Sequence, residues 1–140
     1  MEPINKKILL IDNDENVLIA LERVLEEHGY DTTTAWDVPS AADLIATNEF
    51  DLLLVGDHPP DLNCERLLKN MYKQGVQVPC VVMHSAARHP FSEAYLRHLG
   101  ASGVACKWNE SEVLDEVEQA IATTKRVSRD YVFEVSRQAS

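Results

Sequence analysis

Short runs in which every position is apolar alternate along the chain with longer stretches whose apolar residues recur at helical spacing. Ile8-Leu9-Leu10-Ile11 and Leu52-Leu53-Leu54-Val55 are the clearest runs, followed by Val81-Val82-Met83 and the weaker Val104-Ala105-Cys106. A short run without polar alternation suits a strand covered on both faces. Thr32-Thr33-Thr34, after Tyr30, is β-branched and predicts a more exposed strand. Between the runs, Val17, Leu18, Leu21, Val24, Leu25 and His28 keep helical spacing, and Gly29 follows as a stop. Pro39-Ser40 opens a second helix carrying Ala41, Leu44 and Ile45. Leu67, Leu68 and Met71 mark a third that ends near Gly75. Pro90 starts a fourth, with Phe91, Tyr95 and Leu99 before Gly100. Asn109 with Glu112 three residues later forms a capping-box start for a fifth, whose apolar face is Val113, Val117, Ala120 and Ile121.

The resulting order is strand then helix, five times over. Such alternation predicts an α/β fold: a parallel sheet with helices on both faces, joined by right-handed crossovers. In these sheets the functional crevice lies at the carboxyl ends of the strands. The residues there are Asp12-Asn13-Asp14, Gly56-Asp57, His84-Ser85 and Lys107.

Composition narrows the function classes. A chain of 140 residues is one domain, and 45% apolar with 26% charged residues is globular. The net charge of −10 opposes nucleic acid or anionic membrane as a main ligand. The longest aliphatic runs, Ile8–Ile11 and Leu52–Val55, are far too short to span a bilayer. Asp12 breaks the first run too early for a signal peptide. Cys64, Cys80 and Cys106 have no CxxC spacing, so they read as structural thiols in a reducing cytoplasm.

The strand ends offer carboxylates, a hydroxyl and an ammonium. Aspartate oxygens suit a hard cation such as Mg²⁺, and a hydroxyl with a lysine suits a phosphoryl group. At this point the chain resembles the receiver domains of two-component response regulators. The segments that carry the resemblance are Ile8 to Asp14, Asp51 to Val55, Pro60, Val81 to Ala86 and Gly100 to Lys107, in order and at the right separations. The resemblance implies a flavodoxin-like (βα)5 fold with strand order 2-1-3-4-5, and a signalling role. It covers residues 6–125, leaving 1–5 as an N-terminal extension and 126–140 as a C-terminal tail or linker.

Carried over residue by residue, the family's chemistry has gaps in this chain. The hydroxyl position is Ser85 and the lysine is Lys107. The acidic pair falls on Asp12 and Asn13, so its second member is uncharged. The phosphoacceptor position falls on residue 56, counted forward from Asp51 or back from Pro60, and that residue is Gly56. Asp57 is adjacent, but neighbouring strand residues point to opposite faces, so its use as acceptor needs a bulge at Gly56. Trp108 stands where the family has proline after the lysine, and Val104 replaces the family's switch aromatic. The reading is therefore a pseudo-receiver, not an enzyme, with no required cofactor, signalling by contact with a kinase, an output domain or another regulator. The face expected to bind comprises the fourth helix, fifth strand and fifth helix, and the pairing of two copies is a further expectation for it.

Two alternatives keep the chemistry. One is a working receiver phosphorylated on Asp57, with Mg²⁺ held by Asp12, Asn13 and Asp57. The other is a phosphatase: Asp12-Asn13-Asp14 also resembles the DxD signature of haloacid-dehalogenase-type enzymes, with Asp12 as nucleophile. That family's final acidic motif is missing after Lys107. Plainer roles stand beside these. Asp14 is an N-cap of the first helix. Lys107 is a buried lysine paired with Asp12. His58 and His84 are solvated loop residues, and Trp108 is either a binding anchor or a space-filler.

Overall fold

The computed structural model describes residues 5–58, 62–84 and 93–123. Five strands alternate with five helices: β1 (Lys7–Ile11), α1 (Glu15–Glu27), β2 (Asp31–Ala35), α2 (Val38–Thr47), β3 (Leu52–Gly56), α3 (Cys64–Lys73), β4 (Cys80–His84), α4 (Glu93–His98), β5 (Gly103–Cys106) and α5 (Glu110–Thr123). All neighbouring strands pair in parallel, in the order β2-β1-β3-β4-β5. The continuous apolar runs form the three central strands, where Leu9, Leu53 and Val82 and their neighbours are fully buried. Each such side chain taken from water contributes roughly 1.5–3 kcal/mol before entropy is counted.

Strand side chains alternate between two cores. Ile8, Leu10, Leu52, Leu54, Val81, Met83 and Ala105 face α1 and α5, meeting Leu18, Leu21, Val113 and Val117. Leu9, Ile11, Leu53, Val55, Cys80 and Val82 face α2, α3 and α4, meeting Ala41, Leu67, Leu68 and Leu96. Pairing continues one residue past three strands. The Asp12 N–H donates to the Ala35 carbonyl at 3.2 Å, that of Asp57 to Met83 at 2.8 Å, and that of Lys107 to His84 at 2.9 Å. Alternation therefore assigns Asp12, Gly56 and Lys107 to the α1–α5 face and Asp57 to the opposite one.

One element start differs in detail from the sequence pattern. Helix α2 begins at Val38, capped by the Asp37 carboxylate on the Ser40 N–H at 2.8 Å, so Pro39 lies inside its first turn. Helix α4 is described from Glu93 onward; Pro90 and Phe91, expected to open it, lie outside the described residues.

Candidate functional site

Strand β1 delivers Asp12 into the sheet's carboxyl end with no solvent exposure. Both carboxylate oxygens are engaged. Oδ1 accepts the Asp14 N–H at 2.9 Å, and Oδ2 accepts the Lys107 ammonium at 2.9 Å. The Lys107 side chain is equally buried. A buried ion pair is tolerable only when geometry is good and the remaining lone pairs are satisfied. The Asp14 amide meets that need from the N-cap of α1.

Gly56 lies against this pair. A Cβ built on Gly56 would overlap Asp12 Oδ2, and would stand 2.6 Å from Asp12 Cγ and 3.1 Å from Lys107 Nζ. The Asp12 carboxylate thus fills the volume that a side chain at position 56 would need first. Glycine permits this close approach, and any added Cβ would oblige the Asp12 carboxylate to shift.

Asp57, only 6% exposed, turns the other way. Its Oδ1 accepts the Cys64 N–H at 3.1 Å, at the start of α3. Asn63 accepts from the Arg66 N–H at 3.1 Å, so two side chains satisfy this helix terminus. The Cys64 thiol is pushed well above its ordinary pKa, first by burial, then by Cys80 and the Asp57 carboxylate.

The remaining expected residues are spread out. Asn13 is exposed and does not join Asp12. Asp14 caps α1, accepting the Asn16 N–H at 2.9 Å. Val104 is half-buried against the α2–α4 core. Trp108 is 60% exposed beyond β5. Asn109 accepts the Glu112 N–H at 3.1 Å, as the capping-box spacing predicts. Ser85, Pro60 and Ala86 lie outside the described residues, as does the tail 126–140. His84 lends its carbonyl to the Lys107 amide.

His58 departs in part from the sequence reading: 37% of its side chain stays exposed, but its inner edge does not. Its backbone pairs with Leu62 in both directions at 2.8 Å, and the Nε2 edge of its ring faces inward. Nε2 is withdrawn from solvent, 4.0 Å from Asp12 Oδ1, without a hydrogen-bond partner among the described residues. The ring follows a local turn, and no periodic signal in the sequence announces that. Trp36 is a second residue the pattern does not single out: it is 52% exposed just after β2, on the same rim as Trp108. Among the described residues no three His, Cys, Asp or Glu side chains are grouped to hold a metal. No described helix is long and apolar enough to cross a membrane.

Comparisons with known proteins agree with this architecture. The family model of the response regulator receiver domain matches residues 8–122. The alkaline phosphatase synthesis transcriptional regulatory protein PhoP of Bacillus subtilis is 31% identical over 103 residues, covering 74% of this chain and 42% of that protein. The two-component response regulator ORR21 of Oryza sativa subsp. indica is 28% identical over 125 residues, covering 88% of this chain and 18% of that protein. The chain thus spans less than half the length of these curated relatives. Among solved structures, the Francisella response regulator 1452 receiver domain superposes with a TM-score of 0.76 at 26% identity, covering 86% of this chain and all of that one.

Proposed function

The chain belongs to the response regulator receiver domain family, and from that premise we propose that it is a receiver that signals by protein contact without phosphoryl transfer. The observation that carries the reading is the overlap at Gly56. The position that counting from Asp51 assigns to the family's acceptor has no nucleophile, and the Asp12 carboxylate occupies the space such a side chain would enter. Lys107, which in the family meets the phosphoryl group, is already neutralised by Asp12 at 2.9 Å.

Receiver domains bind Mg²⁺ at the phosphorylation site, but the donors here do not fit that ion. Asp12 Oδ2 is spent on an ammonium, Asp57 Oδ1 on a helix amide and Asp14 on an N-cap, while Asn13 is exposed. A hard cation needs six or more oxygens, and this set supplies no converging group of carboxylates. Phosphorylation of Asp57 would require its carboxylate to leave the Cys64 amide and cross to the other face of β3.

We assign the receiver unit to residues 6–125 and its working surface to the face formed by α4, β5 and α5. The exposed Trp108, at the end of β5, supports that surface, because large aromatics are favoured anchors in interfaces. Its partners would be a kinase, an output domain or another regulator, in the cytoplasm. The test is incubation with acetyl phosphate and Mg²⁺ followed by intact-mass spectrometry. We expect no phosphoryl adduct, while a conventional receiver treated alongside gains one. An adduct mapped to any aspartate of this chain would overturn the reading.

A further inference from the structure

We propose that the groove between α3 and the end of α4 docks an acidic segment of a partner protein that carries an apolar anchor. Lys69, Tyr72 and Lys73 line it from α3, and His98 and Leu99 from the end of α4, around a volume of about 360 Å³. Both helices run back from the strand carboxyl ends, so their last turns lie at the opposite end of the molecule from Asp12. The groove is independent of the site already described.

Tyr72 motivates the apolar anchor. It is 85% exposed, more than any other large hydrophobic residue among those described. The core-facing stripe of α3 is Leu67, Leu68 and Met71, so Tyr72 lies off that stripe and packing does not demand it. A tyrosine ring standing in water beside a groove is the residue type that most often dominates binding energy.

Charge specifies the rest of the partner. Helix α3 carries Arg66, Lys69 and Lys73 against the single carboxylate of Glu65. Among the described residues no carboxylate pairs with Lys73 or His98. This is a basic island on a chain of net charge −10. The acidic excess sits elsewhere: α5 carries five carboxylates and no cation, and α1 carries four carboxylates and Arg23. Those helices lie across the sheet, with axes roughly 20 Å from α3, since each helix is about 10 Å across and the sheet intervenes. Physiological salt screens over about 8 Å, so a ligand in the groove feels the lysines and not the distant carboxylates. An acidic stretch with one or two apolar side chains matches both properties. A basic segment would be repelled by Lys73 and Arg66, and a purely apolar one would leave Lys73 without a counter-charge, Lys69 being already paired with Glu65 at 2.9 Å.

The test uses the full chain and a short fluorescein-labelled peptide in which Leu and Phe alternate with Asp and Glu. Fluorescence anisotropy should rise to saturation, and the binding should fall at about 0.5 M NaCl, where screening reaches only a few ångströms. Lys73→Glu and Tyr72→Ala should each weaken it by about tenfold, whereas the exposed control Ile19→Ala leaves it unchanged. All three changes are on the surface and should leave the circular dichroism unaltered. Equal binding by the variants, or by a peptide with Lys in place of Asp and Glu, overturns the proposal. So does concentration-dependent self-association in sedimentation velocity that Tyr72→Ala abolishes, since the occupant would then be a second copy of this chain.

Discussion

At the scale of single residues the molecule turns on Gly56, Asp12 and Lys107. Gly56→Ala adds one carbon where Asp12 Oδ2 already lies. The backbone of β3 is fixed by pairing on both sides, so the carboxylate must move and lose part of its contact with Lys107. Overpacking of this kind costs about 1–3 kcal/mol, which urea unfolding should read as a lower midpoint at unchanged slope. Gly56→Asp should be no better tolerated, because its first carbon displaces the Asp12 carboxylate in the same way and adds a second carboxylate beside it. Lys107→Met should be worse than the alanine change, since it strands a buried carboxylate at a cost of about 3–5 kcal/mol. Pairing it with Asp12→Asn should recover much of that loss, which a double-mutant cycle by urea unfolding checks. The cysteines give a chemical counterpart. Cys64 and Cys80 are buried, and burial pushes the Cys80 thiol up to about 12. Thiolates are the reacting species, so at about pH 8 only the half-buried Cys106 should react readily with a thiol reagent, and all three only after unfolding.

At the scale of elements, the described part of α4 is six residues long and leans on its neighbours. A side-chain bridge ties it to α3: the Tyr95 hydroxyl donates to Glu65 Oε1 at 2.8 Å, and Lys69 Nζ donates to the same oxygen at 2.9 Å. These bonds hold the Glu65 carboxyl below its ordinary value of 4.5, the Lys69 bond contributing most and the Tyr95 bond next. A group whose folded pKa is depressed stabilises the fold above its unfolded pKa, and that contribution is lost as pH falls through the folded value. The bridge should therefore persist at neutral pH and fail on acidification below 4.5. Tyr95→Phe should raise amide exchange in α4 several-fold at pH 7 without changing it in α1 or α5. The elements themselves were legible because buried parallel strands read as unbroken apolar runs and caps such as Asp14 and Asn109 carry local signals. Counting from Asp51 points to position 56, and the structure sets that residue beside Asp12 and Lys107. The filling of its space was not legible, because Asp12 and Gly56 meet only when β1 pairs with β3, and no local pattern encodes that approach. His58 escaped for the same reason: its inward turn depends on the pairing with Leu62. The Asp37 cap of α2 is masked in the sequence by Pro39, two residues later, which is itself a helix-start signal.

At the scale of the whole molecule, charge is distributed unevenly between the two helix layers, and that asymmetry sets how stability responds to salt. The α1–α5 layer holds Glu22 and Glu26 four apart, Glu112 and Glu116 four apart, and Asp115 three from both Glu112 and Glu118. Each like-charged neighbour on a helix destabilises by a few tenths of a kcal/mol. The two helices also touch one another, so their fields add. Against this stand exposed attractive pairs such as Arg23 with Glu27 at 3.3 Å and Arg97 with Glu93 at 3.0 Å, which contribute little and are screened equally. The buried pair of Asp12 and Lys107 is shielded from mobile ions and should not respond. Repulsion therefore outweighs attraction among the salt-sensitive terms, and the net charge of −10 adds to it. Raising NaCl from about 0.02 to 0.5 M should stabilise the fold by about 1 kcal/mol, a gain of roughly 4 °C in Tm for a domain of this size. Replacing Glu112 and Glu116 together by Gln should raise Tm at low salt and flatten the salt response, as differential scanning calorimetry would register. A Tm that falls with salt would mean that the attractive surface pairs govern, and that the acidic layer is balanced by cations the described helices do not carry.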